Sequence, residues 1–162
     1  MLTFLAIAFL IALAGQAAAL SCLPMDVAGS YKEAAETKET YVIALGRFDF
    51  DEAELPKRRV DNSNPPSTVV DAVFTGGLFT GEDFGFETVL EVTVEALCLG
   101  PWCGWIEPGQ EVLAFIEDRN GGYHLTVSPC PGQVYTAPSA AQIEKVVACH
   151  QGKDCVSVSD DS

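Results

Sequence analysis

Between Phe86 and Ala96 the chain alternates without a break. Phe86, Thr88, Leu90, Val92, Val94 and Ala96 fall on one side, and Glu87, Val89, Glu91, Thr93 and Glu95 on the other. A repeat of two residues predicts a strand with one buried and one wet face. Thr68 to Phe79 predicts a second strand, softened at Gly76-Gly77, and Tyr41 to Leu45 a third by its β-branched content, with Gly46 suggesting a bulge or bend. Val112 to Ile116 is apolar at every position and predicts a central strand; Asn120-Gly121-Gly122 then turns a hairpin. After it, Tyr123, Leu125 and Val127 point inward, with His124 and Thr126 outward. Phe48 to Pro66, charged and then rich in Asn, Pro and Ser, reads as a long loop. Two stretches have helical character. Tyr31 to Glu36 allows one or two turns, and Ser139 with Gln142 forms a capping box ahead of an Ile143, Val146, Val147 stripe that ends near His150. Five strands bent by glycines, with one C-terminal packing helix, predict an all-β domain closed into a small barrel.

The chain has 162 residues, enough for one domain. Residues 1–19 resemble a signal peptide: Leu2 to Leu13 is nearly unbroken apolar sequence, too short to span a bilayer comfortably, and Ala17-Ala18-Ala19 is a small-residue cleavage site. No Lys or Arg precedes the apolar run. A second processing reading places a lipid on Cys22, which would tie the chain to a membrane. The domain then covers residues 20–156, and 157–162 form an acidic, frayed tail. Loss of residues 1–19 removes no side-chain charge, so the formal net charge stays −14. That excludes nucleic acid and anionic membrane surfaces as natural partners. It fits a soluble exported protein, or one drawn to a basic partner.

All six cysteines, Cys22, Cys98, Cys103, Cys130, Cys149 and Cys155, follow the signal. An even number in an exported chain predicts a disulfide framework and a secreted or periplasmic location. Cys98 and Cys103 flank the turn-like Leu99-Gly100-Pro101-Trp102, and Cys149 and Cys155 enclose only His150-Gln151-Gly152-Lys153-Asp154, so both pairs are expected to be local. Cys22 and Cys130 remain to be joined.

The order of these features resembles the netrin-like domains, and among them the tissue inhibitors of metalloproteinases and their bacterial relatives. The likeness spans about residues 20–150. It rests on Cys22-Leu23-Pro24, on Ala44-Leu45-Gly46-Arg47-Phe48, and on the long alternating strand that leads to Trp102-Cys103-Gly104. Gly109-Gln110-Glu111-Val112-Leu113-Ala114-Phe115 and the hairpin to Cys130 complete the set. The resemblance implies a five-stranded Greek-key barrel of the OB type. It also implies an inhibitory N-terminal arm: the free amine and carbonyl of the first mature residue chelate the zinc of a metalloproteinase. Cleavage after Ala19 makes Leu20 that residue, Ser21 then enters the enzyme's specificity pocket, Cys22 is bonded to Cys130, and Pro101 and Trp102 flank the arm. The chain departs from the family pattern in having Leu20 where the first arm cysteine stands, and Cys98 close to Cys103.

Other chemistry has few parts. Trp102-Cys103-Gly104-Trp105 lacks the second cysteine of a redox C-x-x-C, since Ile106 occupies its place, and reads as a structural disulfide. Cys149, His150 and Cys155 could be metal ligands, but in an exported chain the two cysteines are expected to oxidise. His150, at a helix end, complements the helix dipole. Asp49, Asp51, Glu52 and Glu54 offer oxygens to calcium without a D-x-D-x-D-G loop, and read as a solvated loop. No G-x-S-x-G elbow or phosphate-binding G-x-x-x-x-G-K-[ST] loop is present. No enzyme activity and no cofactor are expected. The candidate binding residues are Leu20, Ser21, Cys22, Leu23, Pro24, Pro101, Trp102 and Trp105; Trp102 can equally pack over the Cys98–Cys103 link. The expectation is a monomeric protein-binding module, with a metalloproteinase as the most concrete partner. The alternative is a structural envelope protein without a defined partner.

Overall fold

The computed structural model describes residues 22, 25–57, 63–119 and 121–156. Of the candidate residues, Leu20, Ser21, Leu23 and Pro24 lie outside that set, as do the expected signal segment and the acidic tail. Among the described residues the chain is mostly β-sheet with two helices. In order it forms α1 (Val27–Glu36), β1 (Thr40–Asp49), a 3-10 turn (Glu52–Glu54), β2 (Ser67–Phe79), β3 (Phe84–Leu99), β4 (Trp102–Cys103), β5 (Glu111–Arg119), β6 (Gly122–Val127), β7 (Val134–Thr136) and α2 (Ala140–His150).

All seven strands join one sheet. β1, β2 and β3 form an antiparallel meander, β6 pairs parallel to β3, and β5 pairs antiparallel to β6. β5 also pairs antiparallel with β1, from Thr40↔Asp118 to Arg47↔Glu111, so the pairings return to the first strand. The two short strands are additions to the expected five: β4 pairs with β3, and β7 with Val112 to Ala114 of β5.

The main core lies on the inner faces of these strands. Phe48, Phe74, Val94, Ile116, Leu125 and Val127 are all buried there. A second cluster lies on the opposite face of β5, where Leu113 and Phe115 meet Val27 of α1, Tyr135 of β7 and Val146 of α2. β5 is therefore covered on both faces, which explains its unbroken apolar run, since a strand without a wet face has no reason to alternate. The capping box of α2 is present: the Ser139 side chain accepts from Gln142 N, and the Gln142 side chain accepts from Ser139 N. The first helix is longer than the Tyr31 to Glu36 segment the sequence pointed to. It begins at Val27, where the Asp26 carboxylate accepts from Gly29 N at 2.9 Å.

Three local expectations are overturned. Phe86 does not face inward; it is 100% exposed. The register runs Gly77↔Glu87 and then Phe79↔Phe84, so two steps on β2 match three on β3, and Phe86 falls in the resulting bulge. Gly46 is no bulge, because its pairing is continuous on both sides. It sits opposite Gly76, and a Cβ on Gly46 would lie 2.4 Å from Thr75 O and 2.7 Å from the Phe74 ring. The glycine pair makes room for that ring. Phe48 to Pro66 is not a loop throughout: β1 runs on to Asp49, the 3-10 turn follows, and Leu55 and Pro56 are buried. Asp51 starts that turn by accepting from Ala53 N at 2.9 Å.

Three disulfides join Cys22 to Cys130, Cys98 to Cys103 and Cys149 to Cys155. They are compatible with an extracellular or periplasmic location. Among the described residues no helix is long and apolar enough to cross a membrane.

Candidate functional site

The Leu99 to Trp102 turn between β3 and β4 is stapled at its base, since Cys98 and Cys103 are direct cross-strand partners as well as disulfide partners. Gly104 N donates to Leu97 O at 2.8 Å and continues this pairing. Gly104 also lies against the end of β6, where a Cβ would sit 2.0 Å from Val127 O. Only glycine allows that approach. Buried Ile106 then fixes the chain to the main core. Trp102 and Trp105 are thus held on a short, twice-anchored segment.

Both indoles line one groove of about 720 Å³. Pro101 and Cys103 share their wall, Glu52, Ala53, Pro56 and Lys57 form a second, and Pro129 completes the lining. Trp105 stays 40% exposed, and Trp102 is half-buried. Neither indole N–H has a hydrogen-bond partner among the described residues. The Cys22–Cys130 bond places Cys22 next to this groove: Cys22 Sγ lies 3.9 Å from the Pro129 carbonyl oxygen. Three of the candidate residues, Pro101, Trp102 and Trp105, therefore come together, and half-buried Cys22 is anchored beside them. No protein-family model, curated protein or solved structure matches the chain.

The second wall was not foreseen from sequence. Its one local signal is the apolar pair Leu55-Pro56 inside a charged segment, and a buried pair there implies that the segment folds back onto the domain. The Asp49 to Glu54 carboxylates stand on this connection. Among the described residues, no group of His, Cys, Asp and Glu side chains is placed to hold a metal.

His150 lies in a smaller cleft of about 300 Å³ between α1, α2, β1 and β2. Its ring meets Phe79 edge-on at 5.2 Å, and its Nδ1 shares a hydrogen bond of 3.0 Å with the Tyr31 hydroxyl. Burial pushes the Tyr31 phenol above its ordinary value. On the sheet surface, Arg119 donates to Glu117 at 2.7 Å, and this bond holds the Glu117 carboxyl below its ordinary value. The Tyr31–His150 bond fastens α1 to α2, whereas the Glu117–Arg119 pair lies within β5.

Proposed function

We propose that the chain is an exported protein-binding module with the OB-type, five-stranded Greek-key topology of the netrin-like domains. Its contact ridge is made by the N-terminal arm, residues 20–24, together with the 98–105 loop. The strand order β1-β2-β3-β6-β5, the parallel β3–β6 pairing and the return of β5 to β1 support the topology. The observation that carries the function is the Cys22–Cys130 bond beside Pro129, because Pro129 shares its groove with Pro101, Trp102 and Trp105. This puts Cys22, the base of the proposed arm, on the same surface as the stapled aromatic loop. Large, rigid aromatic side chains of this kind supply most of the energy at protein interfaces.

The partner we propose is a zinc metalloproteinase. With Leu20 as the first residue, its free amine and carbonyl displace the zinc-bound water while Ser21 occupies the specificity pocket. The arm has one tether in place of two, so it loses more conformational freedom on binding, and inhibition is weaker than a doubly tethered arm would give. The test uses a metalloproteinase catalytic domain and a fluorogenic peptide substrate. The chain starting at Leu20 inhibits, whereas a chain with one added N-terminal residue, or with its amine acetylated, does not. Equal inhibition by all three refutes chelation. Inhibition that survives Trp102→Ala and Trp105→Ala refutes the loop's part in the ridge.

A further inference from the structure

The groove beside the arm has a composition that selects its occupant. Pro56, Pro101 and Pro129 line it and carry no backbone N–H, so none of the three can donate to an added β-strand. What they offer is apolar surface and two indole N–H groups, each a donor with no acceptor function. The complementary ligand exposes apolar rings and carbonyl acceptors and has few N–H groups of its own to satisfy. A polyproline II segment meets each condition. It has no internal hydrogen bonds, its carbonyls point outward, and it is ordered before binding. The groove is also open, with Trp105 still 40% exposed, whereas sites for small molecules usually enclose most of the ligand.

We infer that this groove binds an extended, proline-rich segment of a partner protein, packed on Trp102 and Trp105. The inference rests on the ridge proposed above and specifies what one half of it holds. Glu52 and Lys57, both exposed on the same wall, set the flanks. They complement a segment with an arginine at one end of its proline core and a carboxylate at the other. The net charge of −14 makes the arginine the flank that governs encounter.

The probe is a fluorescein-labelled peptide with a Pro-Leu-Pro-Pro-Leu-Pro core, arginine at one end and aspartate at the other, made in both orders. It is titrated into the full exported chain while anisotropy and intrinsic Trp fluorescence are followed. The expected result is binding in the range of about 10–100 µM, weakened by roughly tenfold or more by Trp105→Ala. Replacing the core prolines by alanine weakens the peptide to a similar degree. Because that control alters only the ligand, it holds even if Trp105→Ala disturbs the loop. No binding of either order at about 1 mM overturns the inference, as does equal binding of the alanine-core peptide. Metalloproteinase inhibition without peptide binding overturns the inference and leaves the ridge standing. Peptide binding without inhibition supports it and removes the metalloproteinase as the partner.

Discussion

The Cys22–Cys130 bond should dominate the stability of the chain, and its weight can be worked out from loop lengths. It closes a separation of 108 residues, against 5 for Cys98–Cys103 and 6 for Cys149–Cys155. If a cross-link acts by restricting the unfolded chain, the long loop contributes about 4.8 kcal/mol and each short one about 2 kcal/mol. Replacing Cys22 and Cys130 together by alanine should therefore lower the unfolding free energy by about 4–5 kcal/mol, or Tm by about 15 °C for a chain of this size. Guanidinium denaturation followed by tryptophan fluorescence, under non-reducing conditions, reads both the midpoint and the slope. The slope should rise in the double variant, because an unfolded chain freed of its long cross-link exposes more surface. The matched variant without Cys98 and Cys103 should lose about 2 kcal/mol with little change of slope. Equal losses from the two pairs, or the larger loss from the short one, would falsify the chain-entropy account. The bonds would then have to act through the native structure.

Three further outcomes follow from named contacts. Gly104→Ala should destabilise by about 2–4 kcal/mol, measured by denaturation, since its Cβ would overlap Val127 O; a loss under about 0.5 kcal/mol would contradict the close approach. Ser30 is buried, donates to the Gly132 carbonyl and shares a 2.6 Å hydrogen bond with Tyr135 OH, so Ser30→Ala should cost about 1–3 kcal/mol by the same measurement. Burial raises the Tyr135 phenol above its ordinary value of 10.0, although the Ser30 hydrogen bond pulls it down. A folded value above the unfolded one gives stability that is whole below pH about 10 and is lost as pH rises through the folded value. Midpoints should accordingly hold steady up to about pH 9 and fall above about pH 10, and Tyr135→Phe should flatten that fall. An unchanged alkaline slope in the variant would remove Tyr135 as a cause.

Elements that bury one face or two were legible in the sequence; departures from regular pairing were not. The Val112 to Ile116 run and the Ser139 capping box mark β5 and α2 because burial and capping are local demands written at fixed spacing. Phe86 keeps the parity of its strand in sequence, yet the bulge opposite Leu78 turns it to solvent, and no local residue announces the extra position. Gly46 illustrates the converse: a glycine in a strand marks either a bulge or a close approach, and only the partner strand, with Gly76 and the Phe74 ring, decides which. The start of α1 at Val27, behind the Asp26 cap, was missed in the sequence, and there Val27 packs against Leu113 and Phe115 of β5. In the candidate site, Pro101 and Trp102 lie between Cys98 and Cys103 and Trp105 two residues beyond, so rigid and aromatic side chains mark the loop in the sequence. The opposite wall of Pro56 and Lys57 arrives from a connection distant in sequence, so its role depends on tertiary folding that no short motif encodes.

The double engagement of β1 also constrains the order in which the chain can fold. Residues 44–47, paired with β2, find their second neighbour only in residues 111–114, and residues 40–43 find their one strand partner in 115–118, so the first strand must wait, half-satisfied, until most of the polypeptide has emerged. Distant pairings of this kind are slow to form. During that wait the thiols of Cys98 and Cys103 already stand close together, while Cys22 meets Cys130 only after the last hairpin has closed. Oxidative maturation should therefore proceed from the local pair to the long strap, and an intermediate carrying only the former should be the species that an alkylating quench captures.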